Sequence, residues 1–377
     1  MREIPFNRPH ATGREFDYIE QAIAAGQLSG NGRFSARCTD WLRQRTGSAH
    51  ALLTTSCTSA LELAILIAGI EPGDEVIMPS FTFVSAANAV ALRGGVPVFA
   101  EIRADTLNLD EEHVEEAVTP HTRAIVPTHY AGVGCEMDEL LDIARRHRLL
   151  VIEDAAQGVM ASYRDRPLGA IGDFGCLSFH ETKNVTCGEG GALLVNDPER
   201  IERADITYEK GTNRAQFFAG AVDRYTWVEL GSSFPASELN AAFLWAQLED
   251  ADRITARRLE IWRRYHEHFA EAEGQERLRR PIVPPGARHN AHMYYLLLPD
   301  RATRDGLIAD LADRGIMAVF HYVPLHSSPA GLRLGRAAGE LTLTQTVSDR
   351  LVRLPLWMDM SDDDVDRVAS AVVASLP

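Results

Sequence analysis

Between residues 75 and 195 short apolar runs alternate with stretches whose apolar residues recur at three- and four-residue spacing. The runs at 75–78, 96–102, 123–128, 149–153, 175–179 and 192–195 predict strands, and the segments at 59–68, 82–92, 111–118 and 136–147 predict helices. Strands and helices that alternate in this way build a mostly parallel sheet covered on both faces, an α/β fold. From Ser237 the period becomes helical over a long stretch, with Leu244, Leu248, Ala251, Ile254, Ile261, Tyr265 and Phe269 forming one stripe. That stretch is expected to link a large domain, residues 1–245, to a smaller α/β domain, residues 246–377. The Pro- and Gly-rich run at 281–286 marks the start of the smaller unit, where strands are expected at 293–298 and 318–323 around a helical segment.

The candidate chemistry sits where these elements end. The run Ser178-Phe179-His180-Glu181-Thr182-Lys183-Asn184, continuing to Gly188-Glu189-Gly190-Gly191, offers one lysine amine beside a glycine turn. A lysine whose pKa falls through desolvation or neighbouring charge can condense with an aldehyde, which is what a pyridoxal phosphate (PLP) enzyme requires. A lone lysine is otherwise a solvated surface charge. The apolar run at 149–153 ends in Glu153 and Asp154, and open α/β sheets bind ligands at such carboxyl ends. Asp154 suits the protonated nitrogen of a pyridine ring, or it caps a following helix. Glu153, its neighbour on an alternating strand, faces the other way.

Two further segments bear on the same chemistry. Thr54-Thr55-Ser56-Cys57-Thr58-Ser59 precedes a helical pattern and reads as an anion site at a helix start, or as an ordinary cluster of N-caps. Ser178 brings a second hydroxyl source toward the same place. Phe83, just past the run at 75–78, is an aromatic able to stack on a ring, although an aromatic there also serves as plain core.

Taken with Ile4-Pro5-Phe6-Asn7, Pro79-Ser80-Phe81-Thr82-Phe83-Val84-Ser85, His129-Tyr130-Ala131-Gly132-Val133, residues 153–160 and residues 319–326, these segments resemble the sugar-nucleotide aminotransferases of the DegT/StrS type over nearly the whole chain. The resemblance implies PLP fold type I, with a mostly parallel seven-stranded sheet in the large domain. It implies that Lys183 bonds to the cofactor, Asp154 pairs with the pyridinium, Gln157 lies near the ring hydroxyl, and Thr58, Ser59 and Ser178 hold the phosphate. Phe83 takes the stacking position and Cys57 stands among the cofactor contacts. Relatives often carry Gly-x-Asn where this chain has Gly231-Ser232-Ser233, so the shorter Ser233 takes the place of an asparagine that reaches the neighbouring subunit's phosphate. Lysine at 183, where dehydratases of the family carry histidine, favours transamination. By the same resemblance the amino donor is L-glutamate and the acceptor dTDP-4-oxo-6-deoxy-D-glucose, with another nucleotide-linked keto sugar, 3-keto or UDP-linked, as the alternative. Lys210, Asn213, Arg214, Tyr322 and His326 are then expected near the sugar and diphosphate in a homodimer with shared active sites.

Composition narrows the alternatives. With 377 residues, 45% hydrophobic and 24% charged, the chain has ample material for a core. A formal net charge of -15 disfavours nucleic acid as a partner, since phosphate backbones need basic faces. Five cysteines without a C-x-x-C pair indicate neither a disulfide framework nor a zinc site, and no metal is expected. The first residues lack an apolar signal core, and the uncharged apolar run at 63–70 is too short to span a bilayer, so a cytoplasmic protein without a membrane partner is expected. A dinucleotide-dependent oxidoreductase would carry G-x-G-x-x-G after an early strand, and Gly169-Ala170-Ile171-Gly172 has the wrong spacing. A catalytically silent sugar-nucleotide sensor of the same fold remains a rival that the retained Lys183 and Asp154 argue against.

Overall fold

A computed structural model describes residues 2–377. Seven strands carry the large sheet: β1 (His50–Thr54), β2 (Glu75–Pro79), β3 (Val96–Ala100), β4 (Thr122–Ile125), β5 (Leu150–Asp154), β6 (Phe174–Ser178) and β7 (Gly191–Val195). Their spatial order is β1-β7-β6-β5-β4-β2-β3, and β7 alone runs against its neighbours. The smaller unit contributes β8 (Tyr294–Leu297), β9 (Arg336–Ala337) and β10 (Leu351–Leu354). β9 returns to the large sheet as an eighth, parallel edge strand on β3, fastened where the Arg336 guanidinium grips Glu75 at 2.7 and 2.8 Å.

The six strands β2 to β7 were legible because they are buried on both faces, and a sheet covered on both sides reads as nearly continuous apolar runs. Alternate residues divide between two cores. Ile77, Val98, Ile125, Val151 and Leu194 face the helices Glu15–Ala24, Arg33–Thr46, Met137–His147 and Glu238–Glu249. Val76, Phe99, Ala124, Ile152 and Leu193 face Cys57–Ala68 and Ser85–Ala91. The carboxyl ends of β1, β2, β4, β5 and β6 therefore gather along one edge.

A separate core forms from residues 261–376 together with Ile4, which bridges Ile316 at the opposite end of the chain. The long helical stretch is two helices, Glu238–Glu249 and Ala251–His268, broken at Asp250 (φ -108°, ψ 6°), whose carboxylate accepts Arg253 Nε at 2.9 Å. One expectation is corrected here: residues 318–323 form no strand. Only Val319 pairs, as a single bridge to Arg353, because the chain then heads into Pro324 and turns His321 and Tyr322 onto Phe81 and Tyr130. The partner of β8 is β10 instead, antiparallel in register Tyr294 to Leu354.

Glu153 does face away from Asp154, and its role is structural. Its carboxylate is fully buried and accepts N–H groups from Gly169 (2.8 Å), Ile171 (2.6 Å) and Gly172 (2.7 Å). It also accepts His129 Nε2–H at 2.8 Å, the ring being fixed in that tautomer because its Nδ1 accepts Cys135 N–H at 3.1 Å. Both oxygens meet two donors each, so an amide cannot replace the carboxylate without turning its own N–H groups onto donors. Glu153→Gln is expected to cost about 3 kcal/mol of folding stability, measured by chemical denaturation. A loss under about 1 kcal/mol would show that this cluster is not what holds residues 169–172.

Candidate active site

The connection from β6 to β7 doubles back on itself: Phe179 N–H donates to Gly190 O and Glu181 N–H to Gly188 O, each at 2.8 Å, with Gly188 at φ +83°. Lys183 lies at the bend, its own N–H on His180 O at 2.9 Å. The side chain enters a cavity of about 610 Å³ lined also by Asp154, Ser178, Thr58, Gln157 and Tyr322. No carboxylate lies within 4 Å of its amine among the described residues. Burial lowers its pKa, and the nearby Cys57 and Asp154 only partly oppose that.

Asp154 ends β5 on the face that looks toward the start of Cys57–Ala68. It is 5% exposed, and its carboxylate accepts Ala156 N–H at 3.2 Å. Burial raises its pKa, while the Ala156 hydrogen bond and the Lys183 charge pull it down. The capping alternative is not what is found: residues 155–161 make turns, with no helix to cap. A lysine and an aspartate thus share one cavity, each with its pKa moved by burial, which marks functional sites.

The helix Cys57–Ala68 points its first turn at the same space. Ser56 is its N-cap, Oγ accepting Ser59 N–H at 3.1 Å. β7 backs against this turn so closely that a Cβ on Gly191 would sit 2.4 Å from the Ser56 carbonyl carbon, so only glycine lets the strand and the helix start meet. Thr58 Oγ1 lies 2.7 Å from Ser85 Oγ, and Ser178 lines the cavity from β6. Ser59 does not line it; its hydroxyl bonds Thr55 (2.9 Å) and Ser56 (3.1 Å). Ser56, which the sequence presented only as part of the cluster, takes that place on the wall.

The other expected residues divide. Gln157 lines the cavity with its amide committed, accepting Ala131 N–H at 2.7 Å and donating to the Tyr322 hydroxyl at 3.1 Å. Phe83 stands at the rim, 58% exposed, and Cys57 lines the wall with its thiol pKa pushed up by burial. Tyr322 stacks on His321, with ring centroids 3.6 Å apart, and belongs to the lining. His326 does not line it, being tied to the end of β2 through Ser80 Oγ at 2.7 Å. Ser233, Lys210, Asn213 and Arg214 also lie off this cavity: Lys210 N–H bonds Ser232 O, and Asn213 accepts Thr226 N–H at 2.7 Å. Arg258, His292, His321 and Arg353 line it without having been singled out in the sequence.

These residues fit a pyridoxal phosphate group on the chemistry of the donor set. An amine of lowered pKa suits its aldehyde. A buried carboxylate holding only one N–H donor among the described residues suits a protonated ring nitrogen, and a helix start with convergent hydroxyls suits its phosphate. With a type I sheet around it, this is the architecture of a PLP-dependent aminotransferase. The chain belongs to the DegT/DnrJ/EryC1/StrS aminotransferase family, whose model matches residues 9–373. It is 36% identical to the spore coat polysaccharide biosynthesis protein SpsC of Bacillus subtilis over 98% of this chain and 96% of that one. It is 34% identical to GDP-perosamine synthase of Caulobacter vibrioides over 99% of this chain and 98% of that one. Among solved structures, DesV of S. venezuelae in complex with a ketimine intermediate superposes with a TM-score of 0.89 at 30% identity, covering 99% of this chain and 98% of that one. The protein is a PLP-dependent aminotransferase.

In the window below 10.5 the unfolded chain holds the Lys183 proton more tightly than the folded one, so the burden of burying the charged amine diminishes as pH rises through that window. In apoprotein, reductive methylation of Lys183 followed by peptide mass analysis is expected to show a midpoint below 10.5. A midpoint at or above it would mean that the amine is hydrated rather than buried.

Proposed function

We propose that the protein transfers the amino group of L-glutamate to the 4-keto carbon of dTDP-4-oxo-6-deoxy-D-glucose, giving a dTDP-4-amino-4,6-dideoxyhexose and 2-oxoglutarate. The observation that carries this reading is the Lys183 amine and the Asp154 carboxylate in one buried cavity beside a hydroxyl-rich helix start. The matched segments around residues 79–85, 129–133, 153–160 and 319–326 favour the dTDP-linked 4-keto sugar. When bound, pyridoxal phosphate delocalises the charge left at a carbon that has lost a proton.

The chain's residues do the rest. Lys183 Nζ would hold the cofactor's aldehyde carbon, and as a free amine it would take a proton from the donor's α-carbon and supply one to the sugar carbon. Asp154 holds the proton on the ring nitrogen. The first-turn N–H groups of the helix, with the hydroxyls of Ser56, Thr58 and Ser178, bind the phosphate, and Cys57 packs beside it. Gln157 and Phe83, which line the cavity, would hold the cofactor's ring. Tyr322 meets the sugar. Because Ser233, Lys210, Asn213, Arg214 and His326 lie off the cavity of their own chain, we assign them to the sugar nucleotide and phosphate of a neighbouring subunit in a cytoplasmic homodimer. No helix among the described residues is long and apolar enough to cross a membrane.

A second reading keeps the chemistry and changes the nucleotide. The 34% identity to GDP-perosamine synthase favours a GDP-linked 4-keto sugar as the alternative acceptor. The purified holoenzyme, given L-glutamate and the dTDP-, GDP- and UDP-linked 4-keto sugars in turn, is expected to favour the dTDP sugar by at least about tenfold in kcat/KM. A reversed preference would transfer the assignment to the other nucleotide. Lys183→Ala is expected to lower turnover by at least about a thousandfold and Asp154→Asn by about a hundredfold, read as amino sugar by mass spectrometry. Wild-type turnover in Lys183→Ala would remove the lysine from the reaction.

A further inference from the structure

Two arginines share the cavity with Lys183, and they are differently employed. Arg258 is 3% exposed, and its Nε and Nη2 donate to the carbonyls of Ala291 (3.1 Å) and His292 (2.7 Å). Its fork is largely spent on fixing the chain just before β8. Arg353, projecting from β10, spends one nitrogen: Nη2 donates to Phe320 O at 3.1 Å, while its buried Nε has no partner. Its guanidinium carbon lies 4.8 Å from the centre of the Phe6 ring, and no carboxylate is within 4 Å among the described residues.

Arg336, Arg103 and Arg280 pair with Glu75, Asp105 and Glu273, whereas Arg279, off the cavity, has like Arg353 no acid within 4 Å among the described residues. A buried guanidinium with an unmet donor is costly unless an anion reaches it. The cavity has two carboxylates of its own. Asp154 has the ring nitrogen to serve, and Glu189 is exposed, 3.6 Å from His180. The anion that completes Arg353 therefore comes with a substrate.

The surroundings choose among substrates. Phe6, Val319, Phe320, Leu354 and Leu356 make an apolar wall beside this guanidinium in the cavity that also holds Lys183. A diphosphate needs several donors, whereas one planar fork matches one carboxylate in a bidentate grip. An α-amino acid presents both groups that this cavity can receive, an amine beside Lys183 and a carboxylate for the arginine. Resting on the donor half of the function proposed above, we infer that Arg353 binds the carboxylate of the amino donor and takes no part in holding the nucleotide sugar.

The two half-reactions separate this claim from its alternatives. In Arg353→Gln holoenzyme, the L-glutamate concentration that half-saturates bleaching of the cofactor's visible band is expected to rise at least about thirtyfold. The reaction of the amine-loaded enzyme with the keto sugar should stay within about threefold of wild type. Arg353→Lys, which keeps the charge but loses the fork, should fall between, and it replaces the glutamine variant if that protein does not fold. Independently of turnover, 2-oxoglutarate should raise the thermal midpoint of wild-type holoenzyme and fail to do so in Arg353→Gln. Unchanged half-saturation by L-glutamate, or an equal loss in both half-reactions, overturns the inference. If L-glutamate fails to bleach the wild-type protein, it is the donor reading of the proposed function that falls instead.

Discussion

A lysine amine taken out of water and left without an ion pair is the condition on which the rest of this molecule depends. Burying such a group is unfavourable in its charged form, so the fold must hold Lys183 in place by other means. It does so with backbone. The doubled connection between β6 and β7 fixes the bend that carries the lysine, and the sheet beneath fixes the connection. Asp154 supplies opposite charge nearby without closing on the amine, leaving both groups available to a third party.

β5 shows how the sheet separates structure from chemistry. Its last two residues are both acidic and both buried, yet one is saturated and the other is not. Glu153 meets three backbone N–H groups and a histidine, and so stitches residues 169–172 to the sheet. Asp154, one residue on and turned to the opposite face, keeps acceptor capacity facing the cavity. Two-residue periodicity alone assigns these roles. The glycine at the start of β7 completes the design by letting the helix start approach within contact of the strand.

Much of this was legible in the order of residues. The strands β2 to β7 stood out because both their faces are covered, and Lys183, Asp154, Ser178 and Thr58 drew attention as polar residues at strand ends and a helix start, whereas Gln157 was named through the family resemblance; all five line the cavity. Other features were hidden for physical reasons. The helix Arg33–Thr46 carries four arginines on a narrow apolar face of Phe34, Cys38 and Leu42, so its pattern is weak, and β10 is interrupted by Arg353. That interruption was itself a signal: a charge in the middle of Leu351-Val352-Arg353-Leu354-Pro355-Leu356 has to point somewhere useful. Residues 318–323 misled because an apolar-aromatic run can line a cavity as well as a sheet. Ser59 lies off the lining because its hydroxyl is engaged within the first turn, with Ser56 and Thr55.

One compositional fact sharpens the test of the central claim. The chain contains two lysines, Lys183 and the exposed Lys210, so nearly every other positive charge is carried by arginine, which cannot serve as an imine-forming amine. Borohydride reduction of the holoenzyme followed by peptide mapping therefore has only those two side chains to distinguish. The expected result is a stoichiometric pyridoxyl adduct on the peptide containing Lys183 and none on the peptide containing Lys210. An adduct on Lys210, or none on either, would contradict the account.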